Sequence, residues 1–249
     1  MGSGAFSPKG FRYRVGDNEK KKVVINMNKT VKKILIGFII SVFSVVSLVL
    51  IFNKPIGTQI VKNNQATAMH HLNRKDILKN QKKPGQYDFS KVKSINGVSA
   101  MRSRFSGNPT VIGAISIPAV GLQLPICKGL SDINMSTGAS TMRQDQVMGE
   151  GNYPLAGHYM TRYGALFSPI EQTQVGEKVY LTDLKNVYTY QIYEKKDVTP
   201  KSVYLVDNTA EKQVTLITCA DGGANRWAVR AKLINTQKAN NDTLKVFGI

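Results

Sequence analysis

The feature that most constrains this chain is a run of nineteen uncharged residues near its N-terminus, Ile34 to Phe52 (ILIGFIISVFSVVSLVLIF). At about 1.5 Å per residue a helix of this length spans roughly 28 Å, close to the thickness of a bilayer's hydrocarbon core. The apolar region of a signal peptide is shorter and precedes a small-residue cleavage site. Here NKPIGTQIVKN follows instead, so the segment predicts an uncleaved transmembrane anchor.

The basic charge of the chain is concentrated on both sides of this anchor. The formal net charge is +18, and residues 1–33 and 53–97 each carry nine Lys or Arg against two acidic residues. Residues 98–249 are nearly balanced, with sixteen basic and twelve acidic residues. Seven basic residues lie between Arg14 and Lys33, so the positive-inside rule predicts a cytoplasmic N-terminus and an extracellular main domain. The basic flanks favour anionic lipid headgroups, and this topology argues against nucleic acid as a partner.

Changes in composition divide the chain into five expected parts. They are a cytoplasmic basic tail (1–33), the transmembrane anchor (34–52), an extracellular basic stalk or linker (53–85), a β domain (86–237) and a C-terminal tail (238–249). Within the stalk, the sequence from Gln65 to Lys82 predicts a marginal helix, which Pro84 and Gly85 end. The sequence leaves the conformation of the C-terminal tail open.

From about Val98 short apolar runs alternate with turns rich in Gly, Pro, Asn and Asp. Such a pattern is typical of β-strands. The predicted strands are 111–118, 122–126, 152–158, 178–183, 187–198, 213–219 and 226–234, and one helical turn is expected near 165–172. Many short strands with few helices favour an all-β domain, either a closed antiparallel barrel or a sandwich.

Three residues of the β domain carry chemistry that fits nucleophilic catalysis. His158 ends the run NYPLAGH, Cys219 ends QVTLITC, and Arg226 begins the next strand across a six-residue loop. A cysteine attacks as its thiolate, which a neighbouring imidazolium or guanidinium stabilises. The imidazolium can then protonate a leaving amine, and a guanidinium can stabilise an oxyanion. The other two histidines, His70 and His71, lie in the stalk.

Two alternatives concern the neighbours of these residues. Arg230 lies on the same face of its strand as Arg226, but about 13 Å further from the loop in an extended chain, so Arg226 is preferred. Cys127 and Cys219 could form a disulfide outside the cell, whereas a catalytic role for Cys219 requires a free thiol. Cys127, in LPICKG, is expected to be a small buried hydrophobe.

These residues together resemble a known family. The run TLITC followed by Arg226, with LAGH sixty-one residues before the cysteine and GALFSPI after the histidine, resembles the sortases, and class A most of all. The resemblance covers roughly residues 86–237 and the anchor. It implies a closed eight-stranded β-barrel with short helices, preceded by one transmembrane helix, and a membrane-bound cysteine transpeptidase of Gram-positive bacteria.

Matched by position, the resemblance implies a role for each site residue. His158 becomes the general acid and base, Cys219 the nucleophile, and Arg226 the residue that orients substrate and stabilises the oxyanion. The implied substrate-binding residues are Ala156, Ile217 and Thr218, of which Thr218 is also a candidate for the oxyanion hole; each is equally compatible with ordinary core.

The implied reaction is a two-step acyl transfer on two extracellular partners. An LPXTG-like sorting signal of a surface protein is cleaved between Thr and Gly, and a cell-wall precursor amine of the lipid II type takes the acyl group. No cofactor is implied.

Some class A sortases bind calcium through acidic residues near the strand that leads into LPI. Here no Asp or Glu occurs between Asp88 and Asp132, and Gln123 occupies that neighbourhood, so we expect no metal site and no calcium dependence. The oligomeric state is open.

Two other classes of protein remain to be distinguished. The first is another extracellular cysteine enzyme. An L,D-transpeptidase would have a Ser-x-Gly-Cys-x-x-Arg-like run, and a papain-like peptidase would place its cysteine before its histidine; neither fits this sequence. A membrane-anchored, non-enzymatic β module that binds anionic wall polymer is the second class. Its binding would survive loss of Cys219 and weaken with salt.

Overall fold

The computed structural model of the protein describes residues 28–92, 107–160 and 165–249. Within these residues, the chain divides between Ser47 and Leu48 into two units. The predicted basic tail therefore lies mostly outside the described residues.

The first helix, α1, extends over Lys29–His70, and therefore begins before the apolar segment and ends after it. Its part Lys29–Leu48 has a mean hydropathy of 2.1 and is long and apolar enough to cross a membrane. A second helix, α2, covers Arg74–Gln81 and begins at Asn73, whose side-chain oxygen accepts a hydrogen bond from the Asp76 N–H (2.9 Å). The single helix predicted over 65–82 is thus the end of α1 and all of α2.

The stalk helices contact the β domain through buried side chains. Val61 of α1 is buried with Ala165 and Leu166. Ile77 of α2 is also buried, and the Asn80 side chain donates a hydrogen bond to the Val111 carbonyl (2.9 Å). Since apolar burial is the main favourable term in folding, these contacts make residues 58–81 part of the folded domain.

Within the described residues, eight strands close into a barrel in the spatial order β1-β2-β3-β4-β9-β10-β8-β7. The strands are β1 (Val111–Ile117), β2 (Leu122–Cys127), β3 (Ala139–Thr141), β4 (Asn152–Ala156), β7 (Lys178–Thr182), β8 (Asn186–Val198), β9 (Gln213–Ala220) and β10 (Asn225–Lys238), with a separate hairpin of β5 (Tyr159–Met160) and β6 (Ala165–Leu166). The prediction of a closed eight-stranded barrel is confirmed. Seven of its strands match predicted ones, and β3 was missed because three residues show no periodicity.

Short helices connect the strands. Helix α3 covers Asp132–Thr137 and α4 covers Asn241–Leu244, and single 3₁₀ turns lie at Phe89–Lys91, Pro118–Val120, Ser168–Gln172, Val203–Val206, Asp221–Gly223 and Lys245–Phe247. The turn at Ser168–Gln172 matches the helical turn expected near 165–172.

The barrel interior is an apolar core built from alternate residues of each strand. In β9 the inward residues are Val214 and Leu216, which pack with the buried Val229 of β10. Because successive side chains of a strand point to opposite faces, Ile217 and Cys219 lie on the outer face of the barrel. The candidate site is therefore outside the closed wall and does not interrupt the core.

The C-terminal tail folds back onto the barrel. Phe247 is buried against Ala114 and Val187. The Val246 carbonyl accepts hydrogen bonds from the Ser116 hydroxyl (2.7 Å) and the Gln123 amide (3.0 Å). The tail thus closes the outer side of β1 and β2.

Candidate active site

The register of two parallel strands brings His158 and Cys219 together. Strands β4 and β9 pair in parallel with Ala156 opposite Ile217, an offset of sixty-one residues. The same offset separates His158 from Cys219, so each lies two residues beyond the last paired rung. Neighbouring strands are about 4.8 Å apart. The two side chains therefore lie side by side at the ends of adjacent strands.

The backbone between Ala156 and His158 is fixed on both sides. The Gly157 N–H donates to the Ile217 carbonyl (3.1 Å), and the Thr218 hydroxyl donates to the Gly157 carbonyl (2.8 Å). A Cβ at Gly157 would overlap the buried Phe167 ring, so only glycine fits here. The Phe167 N–H in turn donates to the His158 carbonyl (3.0 Å). This packing gives His158 a defined position.

Arg226 lies directly across from Cys219 in the antiparallel pair of β9 and β10. Its Nη1 donates to the carbonyls of Gly223 and Asn225, both at 2.8 Å. The loop between the strands passes through Gly222 and Gly223, with φ of 64° and 103°. Such positive angles favour glycine, and they allow the loop to fold back under the guanidinium.

Arg230 is engaged elsewhere. It pairs with Thr215, four rungs from Cys219, and forms an ion pair with Glu194 (3.1 Å). Its guanidinium also lies 5.3 Å from the centre of the Tyr193 ring. The geometry thus groups Arg226, and not Arg230, with Cys219.

A cavity of about 660 Å³ contains all six residues expected from the sequence: Ala156, His158, Ile217, Thr218, Cys219 and Arg226. Thr218 itself is fully buried and its hydroxyl is committed to Gly157. The cavity is a groove on the outer face of the barrel, and the thiol, the imidazole and the guanidinium all lie along it.

The remainder of the groove is apolar, and sequence reasoning missed most of it. Its base is a cluster of Leu130, Met135 and Met142, on which Val92, Ala156, Val206 and Ile217 pack. One wall is the 3₁₀ turn at Val203–Val206. These residues come from connections between strands, where no periodic pattern identifies them, so only the fold assembles them.

Buried Asn152 holds this wall in place. Its side-chain amide donates to the carbonyls of Leu205 (2.9 Å) and Asp207 (2.8 Å). Its side-chain oxygen accepts from the Thr215 hydroxyl (2.8 Å). Because each of these polar groups has a partner, burial of the amide costs little, and the wall is fixed to the strands that carry the site.

The electrostatics of the site favour a neutral imidazole. Burial lowers the pKa of His158 to about 4, and the negative charge of Asp132 offsets part of this effect. Both cysteines are free thiols, so no disulfide joins Cys127 to Cys219. Cys127 is fully buried, and burial raises the pKa of its thiol, so it is a poor nucleophile. Cys219 is partly exposed in the groove.

In the described ranges, no group of three or more His, Cys, Asp or Glu side chains is arranged to hold a metal ion.

Comparison with known proteins decides the family. A family model for the sortase domain matches residues 115–234. Over 215 residues the chain is 42% identical to the sortase A of Streptococcus agalactiae serotype III (strain NEM316), covering 82% of this chain and 87% of that one. The chain belongs to the class A sortases. This sortase is also 40% identical over 177 residues to the sortase A of Listeria monocytogenes serovar 1/2a (strain ATCC BAA-679 / EGD-e), covering 70% of this chain and 80% of the relative.

The solved structures agree with this assignment. The crystal structure of Listeria monocytogenes sortase A superposes with a TM-score of 0.54 at 42% identity, covering 56% of this chain and 98% of that one. The protein is therefore a cysteine transpeptidase that acts on sorting signals, and its apolar N-terminal helix is consistent with a membrane-anchored enzyme.

Proposed function

We propose that this sortase cleaves an LPXTG-type sorting signal between Thr and Gly and transfers the new Thr carboxyl to an amine of a cell-wall precursor of the lipid II type. The main support for the proposal is that His158 and Cys219 lie side by side just beyond the paired residues of β4 and β9, with Arg226 opposite Cys219 on β10. The apolar groove beside them supports an extended peptide with aliphatic residues.

Each site residue has one role in the acylation step. The Cys219 sulfur attacks the Thr carbonyl carbon while its proton passes to His158, which is neutral above about pH 5 because its pKa is about 4. The carbonyl oxygen becomes an oxyanion, and Arg226 stabilises it with N–H groups other than the two on Nη1. The imidazolium then protonates the glycine nitrogen as the C–N bond breaks, which leaves a thioester on Cys219.

Transfer reverses these proton movements. The acceptor amine attacks the thioester carbonyl, His158 takes the proton that the amine loses, and the C–S bond breaks. The thiolate leaves and recovers a proton from the imidazolium. Because the pKa of His158 is about 4, we expect the rate to fall as the pH drops from about 6 towards 4 and the imidazole becomes protonated. A rate that stays constant down to about pH 4 would contradict this mechanism.

The charge distribution supports a topology for the enzyme. The basic residues before the anchor favour a cytoplasmic N-terminus, with the β domain outside, where sorting signals and wall precursors are presented. His158, Cys219 and Arg226 are the proposed catalytic residues. Ala156, Ile217 and Thr218 are the proposed substrate-binding residues, with Thr218 contributing its backbone since its hydroxyl is already bonded.

The test uses the full chain in detergent micelles and a quenched fluorescent LPXTG-type peptide, with and without a triglycine acceptor. We expect cleavage at Thr–Gly, an amine-ligated product, and no cleavage by Cys219→Ala. Arg226→Ala is expected to lose at least a hundredfold in kcat/KM, the usual scale for an oxyanion donor, whereas Arg230→Lys keeps most activity. EDTA is expected to leave the rate unchanged.

The alternative of a wall-binding module gives a different result. A folded chain that cleaves none of several motif variants with several amines, yet binds anionic wall polymer in a salt-dependent manner without Cys219, would replace the proposed function.

A further inference from the structure

A short turn just after the stalk (53–85) reaches the groove although its last residue, Val92, lies 127 residues before Cys219 in the sequence. Phe89 and Val92 line the same cavity as the three proposed catalytic residues. Val92 also packs on the apolar cluster at the base of the groove. We call residues 88–92 the stalk turn.

Hydrogen bonds within the chain hold the stalk turn in place. The Asp88 carboxylate accepts from the Ser90 N–H (3.0 Å) and the Ser90 hydroxyl (2.6 Å). The Gln86 carbonyl accepts from the Leu130 N–H (2.6 Å). A Cβ at Gly129, where φ is +81°, would lie 2.7 Å from the Gln86 nitrogen, so the glycine permits this close approach. The turn is thereby attached to the connection that forms the base of the groove.

Phe89 is 49% exposed, although the turn that carries it is fixed. Contact with a peptide in the groove would remove part of this apolar surface from water, which is favourable. Val92 is half-buried and extends the same surface down to Leu130.

The position of the turn along the groove indicates which part of the substrate it meets. Ile217 lies two residues before Cys219, so the apolar end of the groove begins about 7 Å from the thiol. In an extended LPXTG-type peptide whose Thr carbonyl is at the thiol, the first residue lies about 10 Å from the Thr. That aliphatic residue therefore falls at the apolar end, where the stalk turn lies.

We propose that Phe89 and Val92 form the outer wall for the first, aliphatic residue of the sorting signal and so determine selectivity at that position. The inference rests on the proposed function. It makes the segment between the stalk and the first barrel strand a part of the substrate site, and it gives Phe89 and Val92 a role in specificity beside the groove residues of the barrel.

The experiment compares quenched peptides that differ only in the first residue, Leu or Ala, with the full chain in detergent micelles. Phe89→Ala is expected to lower the Leu-over-Ala preference in kcat/KM by about three- to tenfold, because part of the apolar contact with the larger side chain is lost. Most of this loss falls on the Leu peptide. Val92→Ala acts in the same direction, and Phe89→Leu retains most of the preference.

Val175→Ala is the matched control, since Val175 is an exposed valine (64%) that does not line the cavity; its preference is expected to equal that of the unmodified chain. The rate of Cys219 alkylation by iodoacetamide, expected to stay constant across the variants, reports an intact thiol site.

A Leu-over-Ala preference that Phe89→Ala leaves unchanged overturns the inference while the proposed function stands. Equal gains for both peptides also overturn it, since the turn would then only obstruct the groove. Absence of any Cys219-dependent cleavage by the folded chain overturns the proposed function, and this inference with it.

Discussion

Replacement of His158 by glutamine should make the protein less sensitive to acid. Burial lowers the pKa of His158 to about 4 from an ordinary value of 6.5, so the folded protein binds this proton less readily than the unfolded chain. The contribution of the neutral His158 to the free energy of unfolding is therefore complete well above pH 6.5 and is lost as the pH falls from about 6.5 towards 4. Glutamine is similar in size and does not titrate in this range.

The magnitude follows from the two pKa values. Between pH 7.5 and pH 4.5 the full effect is about 2.5 kcal/mol in the free energy of unfolding. Because the ring is partly exposed, solvent reduces this value, and we expect about 2 kcal/mol. Between pH 7.5 and pH 4.5 the free energy of unfolding should therefore fall by about 2 kcal/mol less for His158→Gln than for the unmodified chain.

The assay is urea unfolding of the full chain in detergent micelles at pH 7.5, 5.5 and 4.5, followed by tryptophan fluorescence. Trp227 is the single tryptophan of the chain and is adjacent to Arg226, so its emission reports the site directly. His71→Gln, at an exposed position of the stalk, is the control. If the unmodified chain and His158→Gln lose the same stability within about 0.5 kcal/mol over this range, His158 is not held neutral by burial, and the assignment of His158 as proton acceptor in the free enzyme fails.

Three further substitutions test how the site is supported. Gly157→Ala should destabilise the domain by about 1–3 kcal/mol and lower kcat/KM more than tenfold, because the new methyl group overlaps the Phe167 ring and displaces His158; urea unfolding and peptide cleavage measure both effects. Asn152→Ala removes the donor of the buried Leu205 carbonyl and of the partly buried Asp207 carbonyl, so it should cost about 2–3 kcal/mol and raise KM more than it lowers kcat; a change confined to kcat would contradict the wall's role. Phe247→Ala removes a fully buried ring and should cost about 3–5 kcal/mol in unfolding, while kcat/KM at 25 °C stays the same because Phe247 does not line the groove.

The strands and the anchor could be predicted because their signals are local. Alternation in QVTLITC and RWAVRAKLI places one set of side chains inside and the other outside without knowledge of any partner strand. The apolar run Ile34–Phe52 needs only its own length and composition to predict a helix that can span a membrane. The short strand Ala139–Thr141 lacks both kinds of signal, because its place in the sheet comes from its neighbours β2 and β4.

The chemistry of the site was also indicated by sequence, through the order and spacing of His158, Cys219 and Arg226. The structure places all three in one cavity and gives the spacing of sixty-one residues a physical meaning, since it equals the register offset of β4 and β9. That parallel pairing is not visible in the sequence, because parallel strands need a long connection whose path local pattern does not determine.

By itself the sequence therefore predicted the apolar N-terminal helix, the all-β character of the main domain and the candidate reactive side chains, since each of these depends on neighbouring residues or on the order and spacing of residues along the chain. Only the tertiary structure decided the rest. The groove is assembled from the stalk turn, the cluster around Leu130 and the wall held by Asn152, which are distant in sequence. The neutral state of His158 depends on burial. Burial and convergence are properties of the packed chain, and no segment carries them alone.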